Sequence, residues 1–139
     1  MGWNATEVHP GLYLGSARDA ANAAQMKLLG ITHVLNVADN VKNRYPDQFT
    51  YLSLMVKDRA DDAGISRVFD QAFEFVDLRL RSGQKVLVHC MMGQNRSACI
   101  VLYQLTRLQP PQRNLKESFA HLSHLRPWTA LSDSNKREL

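Results

Sequence analysis

A histidine, a cysteine, a glycine, an arginine and a serine fall within nine residues of this chain, His89-Cys90-Met91-Met92-Gly93-Gln94-Asn95-Arg96-Ser97. The apolar run Val86-Leu87-Val88 leads in, and Ile100-Val101-Leu102 follows. That order predicts a strand, a loop and the start of a helix. Backbone N–H groups at a helix start are unpaired, and the helix dipole adds positive potential, so an anion binds there readily. Gly93 permits the tight curvature that turns successive N–H groups towards one centre. Arg96 offers a planar fork that matches two phosphate oxygens. The same field acts on Cys90. A free thiol titrates near about 8.5, and a helix N-terminus with cations nearby lowers this to roughly 3.5–7.5. A thiolate beneath a bound tetrahedral anion is a nucleophile aimed at phosphorus. A lone buried Cys is commonplace in cores; the combination is far more specific than any of its members.

The elements around this stretch have to place it. Leu12-Tyr13-Leu14 reads as a short strand closed by Gly15, and Ser16 as the N-cap of one helix running to Leu29, with Gly30 as its stop. Ile31 to Val37 and Phe49 to Val56 read as strands, joined by a polar loop over 38–48. After the charged loop KDRADDAG, residues 57–64, the apolar positions Val68, Phe69, Ala72, Phe73, Val76 and Leu80 define a long amphipathic helix from Ile65, closed by Gly83. Lys85 to His89 shows no alternation, the pattern of a central parallel strand covered on both faces. Ser97 to Leu108 is apolar nearly all round and predicts a buried central helix, ended by Pro110-Pro111. Asn114 with Glu117 predicts a capping box for a helix to Leu125. Arg126-Pro127 breaks it, and a last short helix starts at Ser132. Strands alternating with helices predict an α/β sandwich with a mostly parallel sheet. Ligands of such sheets bind beyond the carboxyl ends of the strands, where residues 89–97 fall.

The bulk properties bound the function. The 139 residues make one domain, 1–139, with 45% hydrophobic and 22% charged residues, a globular balance. No apolar run approaches the roughly 20 residues of a membrane span. MGWNATEVHPG has neither the basic nor the apolar region of a signal peptide, and Gly2 lacks the context for myristoylation. Two cysteines, Cys90 and Cys99, do not make a disulfide framework, which points to a reducing compartment. The net charge of +4 suits an anionic ligand, but the cations are scattered rather than gathered into a nucleic-acid arm. The expected setting is a cytoplasmic or nuclear monomer, and the charge alone fits a phosphorylated protein, a phospholipid or a nucleic acid equally.

VLVHCMMGQNRS, residues 86–97, resembles the His-Cys-x5-Arg-Ser signature loop of the cysteine-dependent protein phosphatases. HPGLYLGS at 9–16 and GITHVLNVA at 30–38 are similar to the opening segments of dual-specificity phosphatases, so the resemblance runs to about Arg126. It implies the cysteine-phosphatase fold, a mostly parallel twisted sheet of about five strands flanked by helices. It also implies hydrolysis of phosphotyrosine and phosphoserine or phosphothreonine through a phosphocysteine, with no metal and no cofactor. On that resemblance Cys90 is the nucleophile, and Arg96 binds phosphate and stabilises the transition state. Ser97 eases departure of the thiolate, and His89 orients the loop from behind. The backbone of Met91, Met92, Gly93, Gln94, Asn95 and Arg96 completes the cradle. Uncharged Met91 and Met92 then shape the floor and rim, which favours a protein substrate over a polyphosphorylated headgroup. They also set oxidisable sulfur beside Cys90, so inactivation by peroxide is expected.

Expulsion of an alkoxide or phenolate calls for an acid. Asp58, Asp61 and Asp62 are available in a loop that leaves a strand on the expected edge. The resemblance places the acid directly after this strand, about 30 residues before the Cys; Asp58, at 90 − 58 = 32, fits best and Asp61 is next. Asp61 and Asp62 otherwise suit the N-terminus of the following helix.

Several features are read as decoys. Lys42-Asn43-Arg44-Tyr45 resembles a pocket-wall motif of classical tyrosine phosphatases, but those domains are much longer, so it is taken as a coincidental polar loop whose cations attract acidic substrates. His121 and His124 share a helix face without supporting ligands. Cys99 is assigned to the core, with a disulfide to an oxidised Cys90 as the lesser reading, and Trp3 and Trp128 to terminal packing. Asn95 before Arg96 resembles the RNA 5′-phosphatase branch, which keeps RNA ends, or a phosphoinositide, as an alternative substrate. A phosphoprotein-binding adaptor is the third reading.

Overall fold

A computed structural model of the chain describes residues 2–57, 64–108 and 114–139. Five strands form one sheet in the order β1-β2-β5-β3-β4: β1 (Thr6–His9), β2 (Leu12–Gly15), β3 (Ile31–Ala38), β4 (Thr50–Val56) and β5 (Lys85–His89). Among the described strands only β1 runs antiparallel, paired with β2 in a hairpin; the sequence pattern marks β2 as a short strand and leaves β1 unmarked. β5 sits between β2 and β3, all parallel, with His89 in register with Gly15 on one side and Asn36 on the other. Its side chains alternate between two cores. Val86 and Val88 join the large cluster with Ile100, Leu102 and Val76, and Leu87 joins a smaller one with Tyr13, Met26 and Val34. Cover on both faces is why β5 lacks a polar face.

Among the described residues six helices flank the sheet: α1 (Ala17–Ala20), α2 (Ala23–Leu29), α3 (Phe69–Arg81, entered through a 3-10 turn at Ile65–Val68), α4 (Arg96–Arg107), α5 (Leu115–Leu125) and α6 (Asp133–Glu138). α4 is the central helix, buried from Arg96 through Leu102, with α3, α5 and α6 packed against it. The expected single helix from Ser16 to Leu29 is two. Ser16 and Asp19 form a capping box on α1, and Asn22 then leaves helical geometry so that its side chain accepts the Gln25 N–H at 3.1 Å and caps α2. A short polar side chain that bonds local backbone competes with the helix it interrupts. The predicted capping box at Asn114 and Glu117 is present, and Ser132 caps α6 by accepting the Asn135 N–H. Among the described residues no helix is long and apolar enough to cross a membrane.

Candidate active site

The carboxyl ends of β2, β3, β4 and β5 meet at one edge, and the loop from Cys90 to Asn95 curls there before entering α4. Its carbonyls are directed outward onto donors from several parts of the chain. His89 Nδ1 reaches the Cys90 carbonyl at 3.1 Å. The Ala17 N–H donates to Met91 O (3.0 Å), the Ala130 N–H to Gln94 O (2.9 Å) and the Cys99 N–H to Asn95 O (2.9 Å). Arg126 Nε donates to Gly93 O at 3.0 Å. With carbonyls turned out, the amides turn in. The Gly93 N–H donates to Cys90 Sγ at 3.3 Å, while the N–H groups of Met91, Met92, Gln94 and Arg96 take no partner among the described residues. Such a ring of inward amides at a helix start is an oxyanion cradle.

Within it, Cys90 Sγ lies 3.0 Å from Ser97 Oγ. The protonated thiol can donate to that hydroxyl, and a sulfur anion can accept from it. Arg96 enters from below, its side chain 3% exposed. Nη1 donates to Val56 O at 2.8 Å, Asp39 Oδ1 at 3.1 Å and Asn40 Oδ1 at 3.2 Å. Nε is buried without a partner. One corner of the guanidinium is therefore held by the ends of β3 and β4, and the Nε edge is left to a ligand. An unpaired buried N–H is costly in isolation, and a bidentate phosphate relieves it. The strand end that grips Nη1 is itself unusual. Met55, directly before Val56, has φ +57°, the β3–β4 register slips by one residue there, and the Val56 carbonyl comes to face Arg96.

His89 is buried, and burial pulls its pKa down to about 4 against weaker upward pulls from the Cys90 carbonyl and Asp19. The ring is neutral at neutral pH, and because a carbonyl only accepts, Nδ1 carries the hydrogen. The unfolded chain takes up a proton near 6.5, the folded chain only near 4. Between those values the unfolded form binds more protons, so this stability is full above about pH 6.5 and is lost as pH falls towards 4, on the order of 3 kcal/mol in all. Urea midpoints measured from pH 7 to 4 should fall more steeply in the parent protein than in His89→Gln.

Gly93 takes φ +68°, and a Cβ there would lie 2.5 Å from Gly15 O and 2.7 Å from Arg126 Nη2. The left-handed backbone alone costs a side chain roughly 1–2 kcal/mol, and the clash adds overpacking of roughly 1–3 kcal/mol. Gly93→Ala should therefore lower the melting temperature by several degrees and depress turnover, both readable on the purified variant.

The structure brings His89, Cys90, Gly93, Arg96 and Ser97 together as expected of their spacing. Met91 and Met92 are 39% and 61% exposed, which places them on the rim rather than in the core. Gln94 contributes its carbonyl to Ala130 and lines a recess beside the loop. Asn95 is turned away from the cradle: its Oδ1 accepts from the Ser132 N–H at 2.8 Å and Asn135 Nδ2 at 3.0 Å, fastening the loop to α6. Asp58, Asp61 and Asp62 lie outside the described residues. Cys99 is fully buried on α4, its Sγ directed at the Asn135 carbonyl, and burial pushes its thiol up to about 12. His121 Nε2 contacts the Val8 carbonyl at 2.8 Å, a packing role.

Two residues do more than their sequence context suggests. Arg126, taken only as a helix breaker, is 1% exposed beneath the loop; beyond Gly93 it donates through Nη1 to Asn4 O at 2.6 Å and Thr6 Oγ1 at 3.0 Å. Trp128, assigned to terminal packing, is 47% exposed and stacks on that guanidinium with 4.9 Å from Cζ to the ring centre. A buried Arg carries no periodic signal. The hint available was a cation fixed between Leu125 and Pro127 where a helix ends.

Residues 12–139 match the family model described as dual specificity phosphatase, catalytic domain. Over 120 residues, 86% of this chain, it is 35% identical to dual specificity protein phosphatase 1 of Arabidopsis thaliana. Over 106 residues, 76% of the chain, it is 40% identical to dual specificity protein phosphatase 1B of the same plant. The matches span 59% and 63% of those two proteins. Among solved structures, the human tyrosine phosphatase-like serine/threonine/tyrosine-interacting protein superposes with a TM-score of 0.86 at 28% identity, covering 96% of this chain and 91% of that one. With the signature loop, the parallel sheet and the family match in agreement, the chain belongs to the dual-specificity phosphatase catalytic-domain family.

Proposed function

We propose that this chain is a protein phosphatase that hydrolyses phosphotyrosine and phosphoserine or phosphothreonine through a phosphocysteine on Cys90. The observation that carries it is the cradle: inward amides, Cys90 Sγ at their centre, and Arg96 held by Nη1 with Nε unpartnered. In the first step Sγ attacks phosphorus, an S–P bond forms, the P–O bond breaks, and Asp58 gives its proton to the leaving oxygen. In the second, water attacks phosphorus as the Asp58 carboxylate takes its proton; the S–P bond breaks, and Ser97 Oγ, 3.0 Å away, donates to the departing sulfur anion. The case for Asp58 rests on position: it stands two residues after Val56, whose carbonyl anchors Arg96.

The RNA-end reading rested on Asn95, and that side chain is engaged by Ser132 and Asn135 instead of facing a ligand. An adaptor reading draws on the solved relative named as phosphatase-like and interacting. Phosphate release from matched phosphotyrosine and phosphothreonine peptides and from triphosphate-ended RNA separates all three. Release from peptides is expected, slowed roughly 10²-fold or more in Asp58→Asn. Faster release from RNA, or peptide binding without release, would overturn the proposal.

A further inference from the structure

Eight large apolar side chains stand exposed among the described residues, and three of them, Met91, Met92 and Trp128, line one recess of about 570 Å³. Apolar exposure gathered in this way, rather than scattered, marks a contact surface. The recess is continuous with the phosphate cradle, because Met91, Met92 and Gln94 in its wall belong to the phosphate loop itself. A peptide whose phosphorylated residue enters the cradle therefore brings its neighbouring residues to the mouth of this recess.

Trp128 is held in a fixed place there. Arg126 Nε donates to Gly93 O at 3.0 Å, and the Ala130 N–H donates to Gln94 O at 2.9 Å. The segment that carries the indole is thus bolted to the phosphate loop on both sides of it. The Thr129 N–H donates to Arg126 O at 3.0 Å and closes a turn around Trp128. The opposite wall is fixed as well, through the Ala17 N–H on Met91 O at 3.0 Å. A rigid aromatic anchor costs a partner little ordering entropy, and the two flexible thioethers beside it adapt to the shape of what binds.

The charges on the walls point the same way. Arg126 is buried, its Nε and Nη1 are taken by Gly93 O, Asn4 O and Thr6 Oγ1, and the indole lies over its plane. Arg18, exposed, is the other charge of the lining, which holds no carboxylate. One solvent-exposed cation contributes little to binding. Covering an apolar side chain against Trp128, Met91 and Met92 contributes in proportion to the area removed from water.

We propose that this recess is a specificity subsite for an apolar side chain, aliphatic or aromatic, flanking the phosphorylated residue of the protein substrate, with Trp128 as its anchor. It rests on the protein-phosphatase reading above and adds a substrate preference to it. Partial burial of one such side chain should change selectivity by about tenfold.

The test compares kcat/KM on phosphotyrosine peptides flanked on both sides by alanine, by leucine or by glutamate, with a small aryl phosphate beside them. The native chain should prefer the leucine-flanked peptide about tenfold over the alanine-flanked one, with glutamate no better than alanine. Trp128→Ala should bring the leucine-to-alanine ratio close to one, and Trp128→Phe, which keeps an aromatic wall, should retain most of it. Equal rates on the leucine and alanine peptides, a preference for glutamate over leucine, or a leucine preference that survives Trp128→Ala would overturn the subsite while leaving the phosphatase reading intact. So would an equal loss on every substrate in Trp128→Ala, the aryl phosphate included, because the ring would then serve only to prop Arg126. Turnover of the aryl phosphate with none of any phosphopeptide would overturn both.

Discussion

Serine in place of Cys90 will abolish turnover, lowering it by roughly 10⁴-fold or more. The hydroxyl that replaces Sγ still sits within reach of Ser97 and the Gly93 N–H, so the cradle keeps its shape. It does not ionise under working conditions, and so brings no anion to phosphorus. The exchange removes little volume at a buried position, and melting should stay within a few degrees of the parent protein. Phosphate binding should survive, because the amides and Arg96 are untouched. Hydrolysis of an aryl phosphate, paired with calorimetric titration of inorganic phosphate, reads both halves. A residual rate within tenfold of the parent would mean that sulfur is not the nucleophile.

Lysine in place of Arg96 should cost roughly 10³-fold in kcat, although the charge is kept. Arg96 performs two tasks with separate atoms. Nη1 joins Val56 O, Asp39 and Asn40, while Nε remains for the anion. A lysine has one nitrogen for both. Asp39 and the Val56 carbonyl lie where that nitrogen can settle, and a buried ammonium paired there is withdrawn from the phosphate. Steady-state kinetics on the aryl phosphate, with the melting temperature as the folding control, decide it; a lysine variant within tenfold of the parent would show that charge alone suffices.

Much of this site was legible because the chemistry and the fold share one signal. The run Val86 to Val88 has to be covered on both faces, and it delivers Cys90 to the sheet edge where α4 begins. Local capping chemistry at Ser16 and Asn114 was equally readable, as was the start of the last helix at Ser132. What escaped was set by distance along the chain. Asn22 interrupts a pattern that periodicity alone would continue. Arg126 acts 33 residues from Gly93 and about 120 from Asn4 and Thr6, contacts that no local pattern encodes. Asn95 was read by its neighbour Arg96, whereas its role is decided by Ser132 and Asn135. The loop 40–45 resembled a motif of longer proteins, and its pinning by Asn36, Tyr51 and Ala21 becomes apparent only in three dimensions.

The outward carbonyls of the phosphate loop also govern when the site comes into being. Their donors are Ala17, His89, Cys99, Arg126 and Ala130, contributed from near the beginning of the chain to near its end. No fragment ending before Ala130 holds the full set. Contacts of such long sequence separation form only after the chain has closed its large loops, so the cradle assembles late, and the ability to bind phosphate returns with the slowest phase of refolding. The same dependence makes the loop a reporter of the whole chain: damage at the hairpin of β1 and β2 or at the segment after α5 reaches Cys90 without touching it.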